Sequence, residues 1–372
     1  MKSNTIIGHI IHRGKCPQHQ CKRTRKDAER KLTELVHHLD TEAFVKPTKL
    51  TVGEFLQRWL EAYAATHVRS RSLEGYQDRA KHLIEHLGNI PLSDLRPDHL
   101  LAYYAEKLVG GRRDGQKGGL SPGTLAKHHN LLREALGHGV RWGLLVRNVA
   151  DAVPPPHPTP REPTILRPDA IQRFLDAVRP HYLYPLSHTA LWTGMRRSEL
   201  LGLKWGDVDL VLGTISVVRA LHQLKDGSFE YAEPKTAKGR RQIALSPSSC
   251  LTLRAHRERQ ELIGLLTTPE ALVFCRLDGT PLSPDVITHT FSRLVRKAGS
   301  PGVRFHDLRH SHASLLLQLN IHPKVVSERL GHANIQTTLD IYSHVIPGLQ
   351  ERAALRFDEA FSQAAQRTPQ PV

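Results

Sequence analysis

The sequence predicts a mainly α-helical protein with a small antiparallel β-sheet in its C-terminal domain, an α+β fold built from several domains. Three observations support this class. The chain has 372 residues, well above the roughly 150 residues of one ordinary domain. Apolar residues recur at three-to-four spacing through most of it, which is typical of helices. One stretch, residues 213–245, alternates apolar and polar residues between turn signals instead, as strands do.

A proline-rich stretch divides the chain. Residues 154–163, "PPPHPTPREP", hold six prolines, too many for a helix or an inner strand, so they predict a semi-rigid linker. Four segments before it show helical spacing and predict a helical domain over residues 50–153. These segments are "TVGEFLQRWLEAYAAT", "LEGYQDRAKHLIEHL", "RPDHLLAYYAEKLV" and "SPGTLAKHHNLLREALGHGVRWGLL".

Residues 1–49 predict a small basic appendage that contacts phosphates. They carry seven Lys and four Arg against five acidic residues, a formal net charge of +6. A basic tail with no defined target is the open alternative. Cys16, His19 and Cys21 supply three candidate zinc ligands at a spacing that matches no common zinc finger, so no metal site is predicted here.

Residues 164–372 predict a second domain in which helices surround a small sheet. "RPDAIQRFLDAV" and "HTALWTGMRRSELLGL" have helical spacing, and turn signals at Asp226-Gly227 and Lys238-Gly239 punctuate the alternating stretch. Helical spacing returns in "SPDVITHTFSRLVRKAG", "HDLRHSHASLLLQLN", "HPKVVSERLGH" and "NIQTTLDIYSHV". Pro323 is placed to begin a helix and Gly331 to end it. The residues after 342 predict a helical tail.

The charge balance indicates an anionic partner. The formal net charge is +16 and the sequence pI is near 9.9, which favours nucleic acid or a membrane surface. A membrane span is excluded because no stretch approaches the 18 or so apolar residues it needs. The N-terminus is a poor signal peptide, and four cysteines fit a reducing compartment. The expected location is therefore cytoplasmic, in association with the nucleoid.

Several side chains in the second domain have the chemistry that a phosphodiester requires. Arg196 in "TGMRRSEL" and Arg309 in "HDLRH" are candidates for bidentate contacts to the non-bridging oxygens. His306 and His332 can donate to the same oxygens or move a proton. Each residue alone has a plainer interpretation, because arginines commonly coat helix surfaces and histidines commonly cap helices.

Two further candidates lie near turns and helix ends. Lys235, near the tip of the last predicted hairpin, can reach into a cleft and protonate a leaving oxygen, with Lys238 as its rival and simple DNA gripping as the alternative. Tyr342 in "LGHANIQTTLDIYSHV" either extends an apolar stripe with Ile335 and Leu339 behind an Asn334 N-cap, or acts as a nucleophile.

In order along the chain, "TGMRRSEL", "KTAKGRR", "HDLRH" and "LGHANIQTTLDIYSHV" resemble the Arg, Lys, His-x-x-Arg, Gly-His and Tyr boxes of the tyrosine recombinase, or phage integrase, family. The resemblance implies that residues 164–372 are the catalytic domain and residues 50–153 the core-DNA-binding domain of a multidomain, DNA-clamping architecture. Residues 1–49 resemble that family's arm-binding domain only loosely.

By this resemblance, Tyr342 is the nucleophile, Lys235 the general acid for the 5′ hydroxyl, and Glu199 a carboxylate that orients Arg196. The side chains that would hold the scissile phosphate are Arg196, Arg309, His306 and His332. Asp307 is instead expected to begin a helix.

The implied reaction is site-specific DNA recombination through a 3′-phosphotyrosyl intermediate. Exchange of one ester for another needs no ATP, and no "GxxxxGK[ST]" stretch is present. We therefore predict no cofactor and no metal. The expected partners are double-stranded DNA carrying attachment-type sites, three further copies of the chain in a tetramer, and a host DNA-bending protein or a directionality factor. A type IB topoisomerase and a catalytically idle DNA-binding regulator are the alternatives.

Overall fold

A computed structural model describes residues 49–113, 115–158, 164–234, 237–342, 354–359 and 361. The chain separates into two compact units, one ending at Pro160 and one beginning at Arg161. The predictions for residues 1–48, for Lys235 and for most of the tail after Tyr342 lie outside the described residues. Within the described residues, no helix combines the length and the apolar character that a membrane span needs.

The first unit is helical. Helix α1 (Val52–Trp59) begins behind Thr51, whose hydroxyl accepts from the Glu54 amide while the Glu54 carboxylate accepts from the Thr51 amide, a reciprocal cap that satisfies two otherwise unpaired donors. It runs through a π-helical turn, Leu60–Ala64, into Ala65–His67. The remaining helices are α2 (Ser70–Leu87), α3 (Pro97–Val109) and α4 (Pro122–Arg141), with 3-10 turns at Leu92–Asp94 and Val149–Ala152.

The core of the first unit forms where the apolar faces of these helices meet. Trp59, Phe55 and Tyr103 are fully buried there. Two tyrosine hydroxyls on α3 pair with histidine rings on α4: Tyr103 with His128 Nδ1 at 2.6 Å, and Tyr104 with His129 Nδ1 at 2.8 Å. Burial lowers the pKa of His128 to about 4, so these are neutral pairs that satisfy polar groups inside a helical core.

The second unit is mostly helical and contains two small sheets, which confirms the predicted fold class. Its helices before the sheets are α5 (Pro168–Val178), α6 (Tyr184–Thr193) and α7 (Arg197–Leu201). Five strands follow: β1 (Val208–Asp209), β2 (Thr214–Val217), β3 (Ala220–Gln223), β4 (Phe229–Ala232) and β5 (Arg241–Ala244). The later helices are α8 (Pro247–Leu262), α9 (Pro284–Lys297), α10 (Asp307–Gln318), α11 (Pro323–Leu330) and α12 (Ile335–Tyr342).

The strand pairing differs from the predicted final hairpin. Strand β3 pairs with β4 around the Asp226-Gly227 turn, as predicted, with Leu221 opposite Tyr231. Strand β5 instead joins β2, with Ile243 opposite Ile215, in an antiparallel sheet ordered β1-β2-β5. The Lys238-Gly239 signal lies in a 3-10 turn, Ala237–Gly239. The segment between β4 and β5 is therefore a crossing between two sheets, and the prediction of a hairpin there was wrong.

The core of the second unit holds α10 in place. Phe291 lies edge-on to both Phe174 of α5 and Phe305, just before α10, with ring centroids 5.3 and 5.2 Å apart. Leu308, in the first turn of α10, is fully buried in the same cluster. Dense apolar packing tolerates little displacement, so the first turn of α10 is a fixed platform for the polar side chains around it.

Candidate active site

The first candidate residue lies at a break between two helices. The segment "HTALWTGMRRSELLGL" was expected to be helical throughout, but α6 ends at Thr193 and Gly194 adopts a left-handed conformation with φ 66°. A Cβ on Gly194 would lie 2.7 Å from side-chain atoms of both His312 and Leu330, so only glycine fits this bend. The chain then restarts as α7, with Arg196 at its N-cap position.

Glu199 organises the arginines on either side of it. Its carboxylate is 4% exposed and accepts the Arg196 amide at 2.8 Å and Arg196 Nη1 at 2.7 Å. The same two oxygens accept Nη1 and Nη2 of Arg241 at 3.2 and 2.9 Å. Burial opposes ionisation, but hydrogen bonds from Arg241 and the charges of both arginines outweigh it, and the pKa of Glu199 falls below its usual range. Glu199 is thus an ionised, buried orienting group.

Arg309 is buried beneath the site. It lies in the first turn of α10 with 3% of its surface exposed. Its Nη1 donates to the Gly194 carbonyl at 2.7 Å and its Nη2 to the Leu330 carbonyl at 2.8 Å. The left-handed bend at Gly194 therefore serves a second purpose, because it turns a backbone carbonyl toward this guanidinium group.

Three arginines from distant parts of the chain converge on one helix end. The last carbonyls of an α-helix lack partners within the helix and carry the negative end of its dipole. At the end of α11, successive carbonyl oxygens each accept from a different arginine, an arrangement that we call the α11 carbonyl cap. The bonds run from Arg241 Nε to Arg329 at 2.7 Å, from Arg309 Nη2 to Leu330 at 2.8 Å, and from Arg196 Nη2 to Gly331 at 3.3 Å.

His306 occupies the N-cap position of α10. The residue is exposed at the protein surface, but desolvation by the surrounding protein, followed by the positive fields of His310 and Arg309, lowers its pKa to about 4. At neutral pH the ring is therefore uncharged, with one nitrogen able to accept a proton. The first residue of α10, Asp307, accepts from the Arg304 amide at 2.8 Å and from its guanidinium group, so Asp307 begins the helix, as expected.

His332 follows the left-handed Gly331, which ends α11 with φ 68°. Its Nδ1 lies 2.8 Å from the Thr338 hydroxyl. Burial lowers its pKa to about 4, with further contributions from the charges of Arg309, Arg196 and Arg241. Because His332 directly follows Gly331, it lies beside the α11 carbonyl cap.

Two predicted residues are described only in part or not at all. Lys235 lies outside the described residues, but Lys238 donates from Nζ to the Ala333 carbonyl at 2.8 Å, which ties the crossing between β4 and β5 to the turn before α12. Tyr342 is the last residue of α12. The structure describes its backbone and not its side chain. Asn334 caps α12, as predicted, since its Oδ1 accepts the Gln336 amide at 3.0 Å.

The structure thus brings together Arg196, Glu199, Arg309, His306 and His332. It also reveals a residue that the sequence analysis missed, Arg241, although that residue closes the quoted stretch "KTAKGRR". Arg241 and His332 also line a cavity of about 280 Å³, whose other charged lining residues are Lys238, Arg240, Lys324 and Glu328. Cationic donors around a cavity suit a phosphodiester, and the described residues contain no cluster of metal-ligating side chains.

Comparison with known proteins gives independent findings. Residues 164–347 match the family model described as "Phage integrase family", and residues 51–108 match "Phage integrase, N-terminal SAM-like domain". A "Tyrosine recombinase XerC-like" protein of Caldanaerobacter subterraneus is 26% identical over 362 residues, covering 91% of this chain and 90% of its own. The ICEBs1 integrase of Bacillus subtilis is 28% identical, over 65% and 67% of the two chains.

Solved structures share the fold. The Tn1549 transposon integrase, solved in complex with a circular intermediate DNA, superposes with a TM-score of 0.70 at 21% identity, covering 83% of this chain and 99% of that one. A lambda integrase dimer bound to a core site gives a TM-score of 0.58 at 20% identity, covering 77% and 97%.

Proposed function

Because the chain belongs to the phage integrase family of tyrosine recombinases, we propose that its reaction centre is the set of groups around the α11 carbonyl cap, with Tyr342 as nucleophile. The chain is a site-specific recombinase of a mobile element that cleaves and rejoins DNA strands. The observation that carries the proposed site is the convergence of two predicted arginines and two predicted histidines, together with Glu199, at the end of the helix that precedes the tyrosine helix.

In the proposed reaction, the scissile phosphate lies between Arg196, Arg309, His306 and His332. Charge develops on the non-bridging oxygens during attack, and donors already in place stabilise it without reorganisation. Glu199 keeps Arg196 oriented through two bonds, one to its backbone and one to its side chain. The guanidinium groups already have backbone acceptors, so their N–H groups are held in a fixed fork before DNA arrives.

Proton transfer completes the proposed step. The Tyr342 oxygen bonds to phosphorus as the bond from phosphorus to the 5′ oxygen breaks. A phenol with a pKa near 10 is only about 0.1% ionised at neutral pH, so it needs a base, and the uncharged His306 is the proposed acceptor of its proton. Lys235 is the proposed donor to the 5′ oxygen. Because Lys238 is already bonded to the Ala333 carbonyl, this contact supports Lys235 over its rival.

The proposed substrate is double-stranded DNA with attachment-type sites, and the proposed assembly on it is a tetramer. One lambda integrase structure is a tetramer bound to a Holliday junction, and a formal net charge of +16 suits a polyanionic partner. A host DNA-bending protein or a directionality factor would assist, and the proposed place of action is the nucleoid.

Covalent trapping tests the proposal. Wild-type protein and Tyr342→Phe are incubated with a nicked library of the DNA that flanks the gene, in EDTA, and separated on a denaturing gel. The expected result is a strand linked to wild-type protein and absent from Tyr342→Phe, whose sequence identifies the site. An adduct of equal yield with Tyr342→Phe would refute the nucleophile, and an adduct that forms only when magnesium is restored would refute metal independence.

A further inference from the structure

Thr338 is a polar residue inside the tyrosine helix. It lies in α12 one helical turn before Tyr342 and is fully buried, with 0% of its surface exposed. Its hydroxyl is 2.8 Å from Nδ1 of His332. Either atom can be the donor, because a hydroxyl donates and accepts, and so does an imidazole nitrogen, depending on its tautomer. The direction of this bond determines which edge of His332 carries a proton.

Thr338 differs from other helical threonines in the acceptor of its side-chain hydroxyl. The hydroxyls of Thr189, Thr193, Thr252 and Thr288 each donate to the carbonyl four residues earlier, the usual local acceptor for a helical threonine. Thr338 makes no such bond. Within the described residues, the only hydrogen bond of the Thr338 side chain is the one to His332.

This environment decides the direction of the bond. If His332 donated from Nδ1, the proton of the buried Thr338 hydroxyl would have no acceptor among the described residues, and a buried donor without an acceptor is costly. If Thr338 donates, its proton is satisfied and Nδ1 of His332 is the acceptor. An uncharged imidazole has one N–H, which must then be on Nε2.

We propose that Thr338 is a positioning residue that donates to Nδ1 of His332 and thereby holds the ring with its proton on Nε2, the edge that donates to the scissile phosphate. The role of Nε2 at the phosphate rests on the proposed function. The assignment of the tautomer does not depend on that function. The lowered pKa of His332, about 4, makes the tautomer matter, because an uncharged ring has only one proton to donate. The opposite tautomer would present a lone pair to the phosphate oxygens.

The same contact links two parts of the site. His332 lies on the turn that follows α11, and Thr338 lies within α12. A bond between them fixes α12 to the imidazole one turn before Tyr342. One polar contact therefore fixes the position of α12 relative to the imidazole that donates to the phosphate in the proposed site.

The first test reads the tautomer directly. Full-length protein labelled with ¹⁵N-histidine is examined by two-bond ¹H–¹⁵N NMR at neutral pH, and the His332 signal is identified by its absence in His332→Ala. The expected result is a protonated Nε2 and an unprotonated Nδ1 in wild type. A proton on Nδ1 would overturn the proposal, and this readout does not depend on whether the protein cleaves DNA.

The second test is a double-mutant cycle on adduct formation, using the DNA that traps wild-type protein. Thr338→Val keeps the shape and removes the hydroxyl, Thr338→Ser restores it, and Thr337→Val makes the same change at the exposed neighbouring position. Thr338→Val is expected to slow cleavage about tenfold, which corresponds to the loss of about one hydrogen bond, with unchanged DNA affinity. Thr338→Ser is expected to recover most of the rate, and Thr337→Val to behave as wild type.

The cycle separates positioning from general structural damage. In a His332→Ala background, Thr338→Val is expected to cause no further loss, because its effect passes through the ring. An equal loss in both backgrounds would overturn the proposal, as would a wild-type rate for Thr338→Val. If wild-type protein gives no adduct at all, the proposed function fails, and the NMR result still decides the tautomer.

Discussion

Replacement of Arg241 by methionine tests the buried ion-pair network most directly. Methionine keeps most of the side-chain length but removes two bonds to Glu199, one to the Arg329 carbonyl and one to the Gly239 carbonyl. The side chains of Arg241 and Glu199 are 6% and 4% exposed, so solvent screens this pair little. The substitution leaves an ionised carboxylate in the interior with Arg196 as its remaining ionic partner.

The magnitude follows from this burial. Removal of one partner of a buried pair costs about 3 to 5 kcal/mol when the other charge is left uncompensated. Glu199 keeps its two bonds to Arg196, so the expected cost is at the lower end, about 3 kcal/mol. A unit of about 200 residues loses about 2 to 4 °C of Tm per kcal/mol. Arg241→Met should therefore lower the melting temperature of the second unit by about 6 to 12 °C.

The matched control is the adjacent residue. Arg240 pairs with Glu233 at 2.5 Å, but their side chains are 57% and 74% exposed, and exposed pairs contribute little. Arg240→Met should move the melting temperature by less than about 4 °C. Thermal unfolding of the full chain followed by circular dichroism compares the two variants. Equal melting temperatures for Arg240→Met and Arg241→Met would refute the reasoning that the Glu199 network is buried and mutually dependent.

Three further predictions follow from the site. Arg309→Ala should reduce adduct formation by about 100- to 1000-fold, the usual cost of one lost donor to a developing oxyanion; a rate within tenfold of wild type in a quench time course would contradict its placement at the phosphate. Gly331→Ala should impair cleavage, because its φ of 68° strains any side chain and a Cβ would lie 2.9 Å from Arg241 Nη1; the check is adduct yield beside Gly264→Ala, which also has positive φ, 80°, but open space around it. Stability of the second unit should fall as pH drops from 6.5 toward 4, because unfolded histidines bind protons there while folded His306 and His332, with pKa values near 4, do not; urea titrations across this range should show it, and a flat profile would mean that the rings are not held uncharged.

The sequence anticipated the fold class and most helix limits, for reasons visible in single residues. Pro323 begins α11 and Gly331 ends it in the left-handed conformation, because local backbone geometry dictates both residue types. Helix α8 was not predicted. Only Ser249, Leu253 and Gln260 are buried along its 16 residues, so the apolar periodicity that identifies an amphipathic helix is too weak to detect.

The resemblance of four short stretches predicted which residues form the candidate site, and it predicted the contact of Glu199 with Arg196. The other contacts within the site were not predicted. Arg241 appears in the sequence as one basic residue among several, and only the pairing of β5 with β2 turns it toward Glu199. Thr338 appears as a polar residue on a short helix. Partnerships across 42 residues, as between Glu199 and Arg241, depend on tertiary packing that no local pattern encodes. The catalytic roles themselves remain predictions.

The α11 carbonyl cap couples the positions of three arginines to one helix end. Arg196 lies at the N-cap of α7, Arg241 in a strand and Arg309 in the first turn of α10. Each is nevertheless bonded to one of three successive carbonyls at the end of α11. A displacement of α11 therefore moves all three guanidinium groups together. A local change at this helix end, such as a side chain at Gly331, would therefore disturb three guanidinium groups at once and not only the nearest one.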